Sequence, residues 1–264
     1  MKKYDGILLC SDFDGTVYSH GRKEISRENA EAIKYFQENG GRFTLATGRF
    51  PNILEEKAEQ VRGIRANAPV IAANGALLYD FDEKKVISSA WIDLGARGVI
   101  NRMLDEIEEL SAMLICRSYI WESAELGRGE REELTRQLAL LPHKIYFVMD
   151  IDREDPRALE KSDELTKRAI DIAAGSYDIL RGSLRGLEIL PKGASKGACA
   201  RILKDYLKCD TLVCVGDYEN DISMIKEADI GYAMGNAHPS LFDICDRIAP
   251  RCEENAIAKI IYEL

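Results

Sequence analysis

The sequence predicts an α/β protein with a doubly wound parallel sheet and a second α/β domain inserted into it. Short apolar runs alternate with helical patterns over the first 80 residues, as they do in successive strand–helix–strand units. The same alternation returns from residue 187 onward, and the segment between has a different rhythm. A length of 264 residues allows one large domain or two unequal ones.

Three strands are predicted near the N-terminus, at residues 7–10, 42–46 and 69–73. Ser26 can cap the helix after the first strand, and Gly40 can stop that helix. Pro51 suits the first turn of the second helix, which the pattern extends to residue 61. The third strand ends at Asn74, which precedes a glycine and so signals a turn.

The C-terminal part is predicted to contain strands at 187–190, 211–215 and 230–233 and helices at 195–207, after Glu219 and at 256–262. In the middle of the chain, an apolar helical stripe begins at Val99, and a strand at 145–149 precedes a helix at 156–174. We therefore predict a Rossmann-like core of residues 1–80 and 187–264, with a mixed α/β domain of residues 81–186 inserted into it.

Composition argues against several classes of partner and location. The 36 basic and 45 acidic side chains give a net charge of −9, which opposes binding to nucleic acid or to an anionic membrane. The four-residue apolar run at 7–10 is too short for a signal peptide or a membrane span, so we expect a cytoplasmic protein. Seven cysteines without a Cys-x-x-Cys pair predict reduced core residues and no disulfide or zinc framework.

The first strand leads into Asp12-Phe13-Asp14-Gly15-Thr16, at the sheet edge where open α/β sheets bind ligands. Two carboxylates placed there can divide the work of phosphoryl transfer. Asp12 would attack phosphorus and form an aspartyl phosphate, and Asp14 would protonate the leaving oxygen and later deprotonate water. The alternative is a polar turn capped by Thr16. The similar Asp-x-Asp pattern at residues 150–152 lacks the glycine and threonine, and it predicts a solvated turn.

The second strand leads into Thr47-Gly48-Arg49 just before a helix. A hydroxyl, an amide without a neighbouring side chain and a helix N-terminus can together hold phosphate oxygens. The alternative is a capped helix start with an exposed arginine.

Lys196 falls in the first turn of a predicted helix that Ser195 can cap. A cation is unfavourable at this position unless an anion faces it, and a phosphate together with Asp12 would supply that anion. Lys192 is the rival candidate, but Gly197 lets the backbone approach closely beside Lys196.

The strand at 211–215 leads into Gly216-Asp217, again at the same sheet edge. A magnesium ion held by Asp12, the backbone carbonyl of Asp14 and Asp217 would match the sparse, water-rich coordination that this ion prefers. Asn220 and Asp221 follow at the start of the next helix. Asn220 is a candidate for binding phosphate or metal-bound water, and Asp221 either supports the metal or caps the helix.

Taken in order, the four loops resemble those of the haloacid dehalogenase superfamily of phosphatases, and the resemblance covers the chain end to end. Asn74-Gly75, the turn at 195–197 and the segment at 233–237 are similar to the Cof-type branch, which carries a large α/β cap after the third strand. Two departures are Tyr218, where the family often has a small residue, and the segment at 253–256, where an Asp-Gly pair is commoner.

The resemblance implies a magnesium-dependent phosphatase that hydrolyses a small phosphorylated metabolite, such as a sugar phosphate. It implies Asp12 as nucleophile, Asp14 as acid and base, Thr47 and Lys196 as phosphate ligands, and Asp217 as the metal anchor. A phosphomutase would keep the same loops, and a non-catalytic module that binds phosphorylated ligands is a second alternative. A receiver domain is disfavoured, because its phosphorylated aspartate would follow the third strand.

The substrate is not predicted beyond this class. Candidate contacts in the inserted domain are Arg117, Tyr119, Trp121, Arg181 and Arg185, although such side chains are commonly solvated or half-packed. His20, His143 and His238 are scattered through the sequence, and we expect them to be structural or solvated.

Overall fold

The computed structural model describes residues 2–19, 24–58, 64–117, 122–127 and 129–264. The chain divides into two compact units, one made of Met1–Ser88 with Ser195–Leu264 and the other of Ser89–Ala194. Both units combine strands with helices, so the fold is of the predicted α/β class.

The strands are, in chain order, β1 (Ile7–Ser11), β2 (Arg42–Leu45), β3 (Val70–Ala72), β4 (Leu77–Asp80), β5 (Lys85–Ser89), β6 (Leu110–Arg117), β7 (Glu122–Leu126), β8 (Lys144–Met149), β9 (Asp178–Ser183), β10 (Gly186–Leu190), β11 (Thr211–Gly216), β12 (Ile230–Ala233) and β13 (Arg247–Ile248). The helices are α1 (Arg27–Glu38), α2 (Pro51–Ala58), α3 (Ala96–Glu106), α4 (Arg131–Leu138), α5 (Ala158–Ala173), α6 (Lys196–Leu207), α7 (Ile222–Glu227) and α8 (Ala256–Glu263).

The first unit is built on a parallel sheet with the strand order β13-β12-β11-β1-β2. Chain order therefore reverses at β1, which has β11 on one side and β2 on the other. This reversal is the topological switch point at which doubly wound sheets bind ligands. Ser11 is paired with Val215 at the ends of β1 and β11, so the loops that follow these two strands are neighbours.

Apolar side chains bury both faces of this sheet. Leu9 and Val213 pack with α1 and α8, whereas Cys10 and Cys214 pack with α6 and α7. The alternation follows from strand geometry, since successive side chains point to opposite faces. It explains why the run that forms β1 is apolar throughout, as parallel strands covered on both faces usually are.

The third strand joins the core differently from a regular sheet strand. A parallel bridge links Ala46 to Ile71, and β3 then pairs with β4 in a separate sheet of order β3-β4-β5. The turn at Ala73–Gly75 that follows β3 has positive φ angles at Ala73, Asn74 and Gly75. A Cβ on Gly75 would lie 2.1 Å from the Ser195 carbonyl oxygen, so glycine is required where this turn meets the start of α6.

The second unit has a sheet of order β7-β6-β8-β10-β9, in which all the assigned pairs are antiparallel. One face of this sheet packs against α3, α4 and α5 through apolar residues such as Ile100, Leu134, Phe147, Leu165 and Leu187. This packing accounts for the helical stripe that begins at Val99.

The predicted boundary at residue 187 is wrong. The sequence pattern assigns 187–190 to the core sheet, but β10 pairs with β8 and β9 in the second unit. That unit extends from Ser89 to Ala194, not over 81–186. The physical reason is that a short apolar run is compatible with either sheet, and its hydrogen-bonding partners lie far away in sequence.

All seven cysteines are free; five are buried, whereas Cys209 and Cys245 are half-buried and therefore not the core residues that were predicted. In the parts of the chain that the structure describes, no helix is both long and apolar enough to cross a membrane.

Candidate active site

Three carboxylates meet at the ends of β1 and β11. Asp12 directly follows β1, and its N–H donates to the Val215 carbonyl at 2.9 Å, which fixes the nucleophile candidate against the neighbouring strand. Oxygens of Asp12, Asp217 and Asp221 all lie within 4.8 Å of one another. Asp12 and Asp221 are buried, and Asp217 is half-buried. The parallel pairing of β1 with β11 therefore brings together acids that are about two hundred residues apart in sequence.

Lys196 supplies a buried positive charge to this group. Its Nζ donates to Asp12 Oδ1 at 2.5 Å and to Asp221 Oδ1 at 2.7 Å. Ser195 caps α6 by accepting from the Ala198 N–H at 3.1 Å, as predicted. Burial by itself would lower the pKa of Lys196, but the two carboxylates outweigh it and raise that pKa. Lys196 is thus a permanently charged partner of Asp12.

Lys192, the other lysine considered as a partner of Asp12, does not contact the acidic cluster. Lys192 is exposed and donates to Asp178 at 2.8 Å, within the second unit. The glycine after Lys196 has a definite role, because a Cβ on Gly197 would lie 2.2 Å from the Ser223 carbonyl oxygen. The close approach predicted for Gly197 is therefore between α6 and the start of α7, and it lets Lys196 reach the carboxylates.

Asp221 is held by protein donors on both of its oxygens. Oδ1 accepts from Lys196, and Oδ2 accepts from the N–H groups of Asp217 and Tyr218 at 3.0 and 3.1 Å. It caps the 3₁₀ turn Glu219–Asp221 and makes no side-chain cap to α7. A Cβ on Gly216 would lie 2.4 Å from Asp221 Cβ, so this packing requires glycine. The carboxylate ties Lys196 to the loop that carries Asp217.

Asp217 is oriented by the first loop. Thr16 Oγ1 donates to Asp217 Oδ1 at 3.0 Å, so this hydroxyl does more than cap a turn. Gly15 has a φ of +85°, and a Cβ there would lie 2.4 Å from Asp217 Oδ2. The loop after β1 therefore accepts the Asp217 carboxylate only because residue 15 has no side chain.

Asn236 braces the same loop from the C-terminal part of the chain. Its Nδ2 donates to the Gly15 carbonyl at 2.9 Å, and its Oδ1 accepts from the Cys252 N–H at 2.8 Å. Cys252 also places its Sγ 3.1 Å from the Thr16 carbonyl oxygen. The segment next to 253–256, where the sequence departs from the family pattern, thus contacts the proposed catalytic loop.

Asp14 is turned toward Arg49. The arginine donates through Nε to Asp14 Oδ2 and through Nη2 to Asp14 Oδ1, both at 2.7 Å. The side chain of Asp14 is 28% exposed and that of Arg49 is 24% exposed. Those of Lys196, Asp12 and Asp221 are 9% exposed or less. The carboxylate of Asp14 does not belong to the cluster of Asp12, Asp217 and Asp221. Arg49, by contrast, is not the exposed side chain of the alternative interpretation.

The predicted phosphate-binding residues form a connected loop pair. Thr47 is buried, its Oγ1 accepts from the Arg49 N–H at 3.1 Å, and its hydroxyl hydrogen is left to donate elsewhere. Asn220 Nδ2 donates to Asn74 Oδ1 at 3.1 Å, and the Asn74 N–H donates to the Thr47 carbonyl at 3.0 Å. Asn74 also lies against Gly48, where a Cβ would be 3.0 Å from its Nδ2. Asn74 therefore links the loop after β2 to the loop after β11.

The electrostatics of the cluster favour a bound cation. Burial raises the pKa of Asp12 well above its ordinary value, and Asp221 and Asp217 raise it further against the opposing effect of Lys196. Burial and then the Asp221 charge raise the pKa of Asp217 to about 7. Three clustered carboxylates with one ammonium leave negative charge uncompensated. Their hard oxygen donors suit a divalent ion such as magnesium.

The predicted contacts of the inserted domain are less informative. Tyr119, Trp121, His20 and the side chain of Arg117 lie outside the described residues. The remaining predicted side chains are held by neighbours in the second unit: Arg181 is buried and pairs with Asp163, Arg185 donates to the Met149 carbonyl, and His143 contacts the Ala90 carbonyl. These contacts favour the structural interpretation of these three residues.

Four residues near the site were not assigned a role by the sequence: Thr16, Arg49, Asn74 and Asn236. Each lies in a loop that the sequence did single out, but one of its partners is at least 35 positions away. His238 is a further neighbour, since its N–H donates to the Asp217 carbonyl and its ring contacts that of Tyr218. No local pattern reveals such long-range partners.

Comparisons with known proteins show what this chain is similar to in sequence and in fold. The family model of haloacid dehalogenase-like hydrolases matches residues 9–261. A 5-amino-6-(5-phospho-D-ribitylamino)uracil phosphatase of Bacillus subtilis is 27% identical, over 96% of this chain and 94% of that protein. A solved haloacid dehalogenase-like hydrolase of the same species has a TM-score of 0.77 at 21% identity, covering 97% of this chain and 99% of the other. A further one from Bacteroides thetaiotaomicron has a TM-score of 0.72 at 22% identity, covering 99% of both chains.

Proposed function

The chain belongs to the haloacid dehalogenase-like hydrolases, and from this premise we propose that it is a magnesium-dependent phosphatase of a small phosphorylated metabolite, with Asp12 as nucleophile. One observation carries the proposal. The Asp12 carboxylate is buried at the end of β1, in contact with the Lys196 ammonium and beside Asp217 and Asp221. A buried carboxylate is suited to attack an anionic phosphorus centre when an ammonium contacts it and a neighbouring carboxylate can bind a metal cation. Lys196 and Asp217 would supply these two groups.

The reaction divides into two steps. In the first, an oxygen of Asp12 attacks phosphorus, the bond from phosphorus to the leaving oxygen breaks, and Asp14 gives that oxygen a proton. In the second, water attacks the phosphorus of the aspartyl phosphate, Asp14 takes the proton of the water, and phosphate leaves with Asp12 restored. The sum is hydrolysis of one phosphoester by one water molecule.

Phosphate oxygens would be held by donors from the loops that follow β2 and β11. Thr47 can donate through its hydroxyl, Gly48 through its backbone N–H, and Asn220 through its amide. Lys196 would neutralise charge that accumulates on Asp12 and the phosphoryl group. The link that Asn74 makes between the loops of Thr47 and Asn220 supports this common assignment, because it holds both donors in a fixed relation.

Magnesium would be bound by the carboxylates of Asp12 and Asp217 and by the backbone carbonyl of Asp14. When bound, such an ion screens the repulsion between an attacking carboxylate and an anionic substrate. Asp221 was also a candidate ligand, but its oxygens are engaged by Lys196 and by two backbone N–H groups. We therefore assign Asp221 to positioning Lys196 and the Asp217 loop, and not to direct coordination.

The substrate class rests on chemistry and on similarity. The groups named above recognise phosphate and a cation, which every phosphoester shares, so discrimination between leaving groups must come from other residues. We assign that role to the inserted second unit. The uracil phosphatase of Bacillus subtilis acts, according to its name, on a small phosphorylated metabolite, and this supports the same broad class here. The seven free thiols support the proposed location in a reducing compartment such as the cytoplasm.

A substrate panel tests the proposal. Purified protein with magnesium would be offered phosphorylated sugars, nucleotides and cofactors, and released inorganic phosphate would be measured against the Asp12→Asn variant. Release by the wild type and its loss in the variant is expected. Binding of the panel without any release would overturn the hydrolase assignment in favour of a binding module, and transfer of phosphate within a substrate without release would indicate a mutase.

A further inference from the structure

Both oxygens of Asp14 are engaged by Arg49 in this structure. The carboxylate accepts from the guanidinium at 2.7 Å on each oxygen. The proposed reaction needs an oxygen of Asp14 at the leaving group and then at the attacking water. The observed arrangement is therefore a resting arrangement, and the reaction needs the pair to separate.

The geometry allows the arginine head to leave without a change in the fold. The backbone of Arg49 is held at both ends, because its N–H donates to Thr47 Oγ1 and its carbonyl accepts from the Ala73 N–H at 3.0 Å. Only the side chain is free to turn, and it lies over the Phe13 ring at 5.7 Å. Since the pair is about a quarter exposed, water can solvate both partners when they part, and such pairs contribute little stability.

The position of Arg49 indicates which group would displace Asp14. Arg49 directly follows Thr47 and Gly48, the proposed phosphate-binding residues, at the start of α2. The planar fork of a guanidinium binds phosphate oxygens through two parallel hydrogen bonds, as it binds a carboxylate. A phosphoryl group bound at Thr47 would thus compete with Asp14 for the same donors.

We propose that Arg49 is a positioning residue that holds Asp14 in the resting enzyme and exchanges it for oxygens of the incoming phosphoryl group, so that substrate binding releases the general acid and base. The inference rests on the proposed function. The proton that Asp14 gives to the leaving oxygen is balanced by the one that it takes from the attacking water, and Asp14 exchanges protons with solvent between turnovers. When phosphate leaves, Arg49 pairs with Asp14 again.

The test is a binding cycle with inorganic phosphate in saturating magnesium. Phosphate binding would be measured by calorimetry in the wild type, Asp14→Asn, Arg49→Gln and the double variant. Asp12 and Tyr18 also lie near the guanidinium, so both are kept unchanged in every variant.

Arg201→Gln is the matched control. Arg201 also pairs with a carboxylate of the first unit, Glu227, at 3.0 Å, and its replacement should leave phosphate affinity unchanged.

The expected result is a difference between the two backgrounds at residue 49. Asp14→Asn should tighten phosphate binding several-fold more when Arg49 is present than when it is absent, because only then is a competitor removed. Equal gains in both backgrounds would refute the competition. Lack of phosphate release by the wild type would instead refute the proposed function.

Discussion

Lys196 Nζ lies 2.5 Å from Asp12 Oδ1, although the two residues are 184 positions apart in the chain. The contact joins the first turn of α6 to the end of β1, and it extends through the same ammonium to Asp221. The proposed nucleophile therefore has its counter-charge built into the fold. Because this ammonium balances one of three clustered carboxylates, the chemistry of the site should depend on every member of the group.

The role of Asp12 can be tested with an isosteric change. Asp12→Asn keeps the shape of the side chain but removes the attacking charge, so kcat should fall by at least about a thousandfold with little loss of fold. Asp150→Asn is the control, since Asp150 lies in an exposed Asp-x-Asp turn. Phosphate release measures both variants. Near wild-type turnover in Asp12→Asn would contradict the mechanism.

Replacing the buried ammonium should affect both stability and turnover. Lys196→Met leaves two buried carboxylates without their counter-charge, which should lower the free energy of unfolding by about 3–5 kcal/mol in the absence of magnesium. Urea denaturation measures this change, and phosphate release should fall on every substrate alike. Lys192→Met removes an exposed ammonium and should change stability by less than about 1 kcal/mol. Equal effects of the two replacements would exclude the assigned role of Lys196.

Cation binding should depend on pH through Asp217. The cation-free protein has the pKa of Asp217 raised to about 7, and a metal ligand must be deprotonated. Magnesium affinity should therefore fall as the pH drops from about 8 to about 6, with release of protons on binding at the lower pH. Calorimetry in buffers of different ionisation enthalpy measures both quantities. An affinity that is constant over this range would refute the assignment of Asp217 as a ligand.

The same carboxylate should make the cation-free protein less stable as pH rises. In the folded state Asp217 keeps its proton up to about pH 7, whereas an unperturbed aspartate loses it near pH 3.8. Over this window the folded state binds more protons, so the free energy of unfolding decreases with increasing pH. Urea denaturation in chelator should show this decrease, Asp217→Asn should reduce it, and added magnesium should oppose it. A slope that Asp217→Asn leaves unchanged would show that other groups cause it.

Gly15 offers a structural test of the metal site. In Gly15→Ala the new Cβ would lie 2.4 Å from Asp217 Oδ2, so the carboxylate must move and magnesium affinity should fall by at least about tenfold. Gly193→Ala is the matched control, because Gly193 has a similar φ of +81° but no atom within 4 Å of an added Cβ. Both variants should lose about 1 kcal/mol of stability from backbone strain. Only Gly15→Ala should lose affinity, and an equal loss in both would show that the contact is irrelevant.

Much of the first unit could be predicted from the sequence because its signals are local. The apolar runs of β1 and β12, the Ser195 cap and the glycine-containing loops depend on neighbouring residues, and the strands and caps appear where they were predicted. The Asp12 loop and the Gly216-Asp217 loop also follow the ends of adjacent strands, as the alternation of strands and helices in a parallel sheet requires. Local periodicity and the handedness of strand–helix–strand units are enough for this level of description.

Tertiary packing sets which partner each polar or apolar group contacts. An apolar run such as that of β10 is compatible with either sheet. Its hydrogen bonds to β8 and β9 place it in the second unit. Asp14 could have faced the cluster of acids, but it pairs with Arg49. The oxygens of Asp221 accept hydrogen bonds from Lys196 and from the loop N–H groups. Local sequence patterns specify which side chains are available at the sheet edge. Their pairing depends on distances of a few ångströms between residues far apart in the chain, and only packing of the whole core sets those distances.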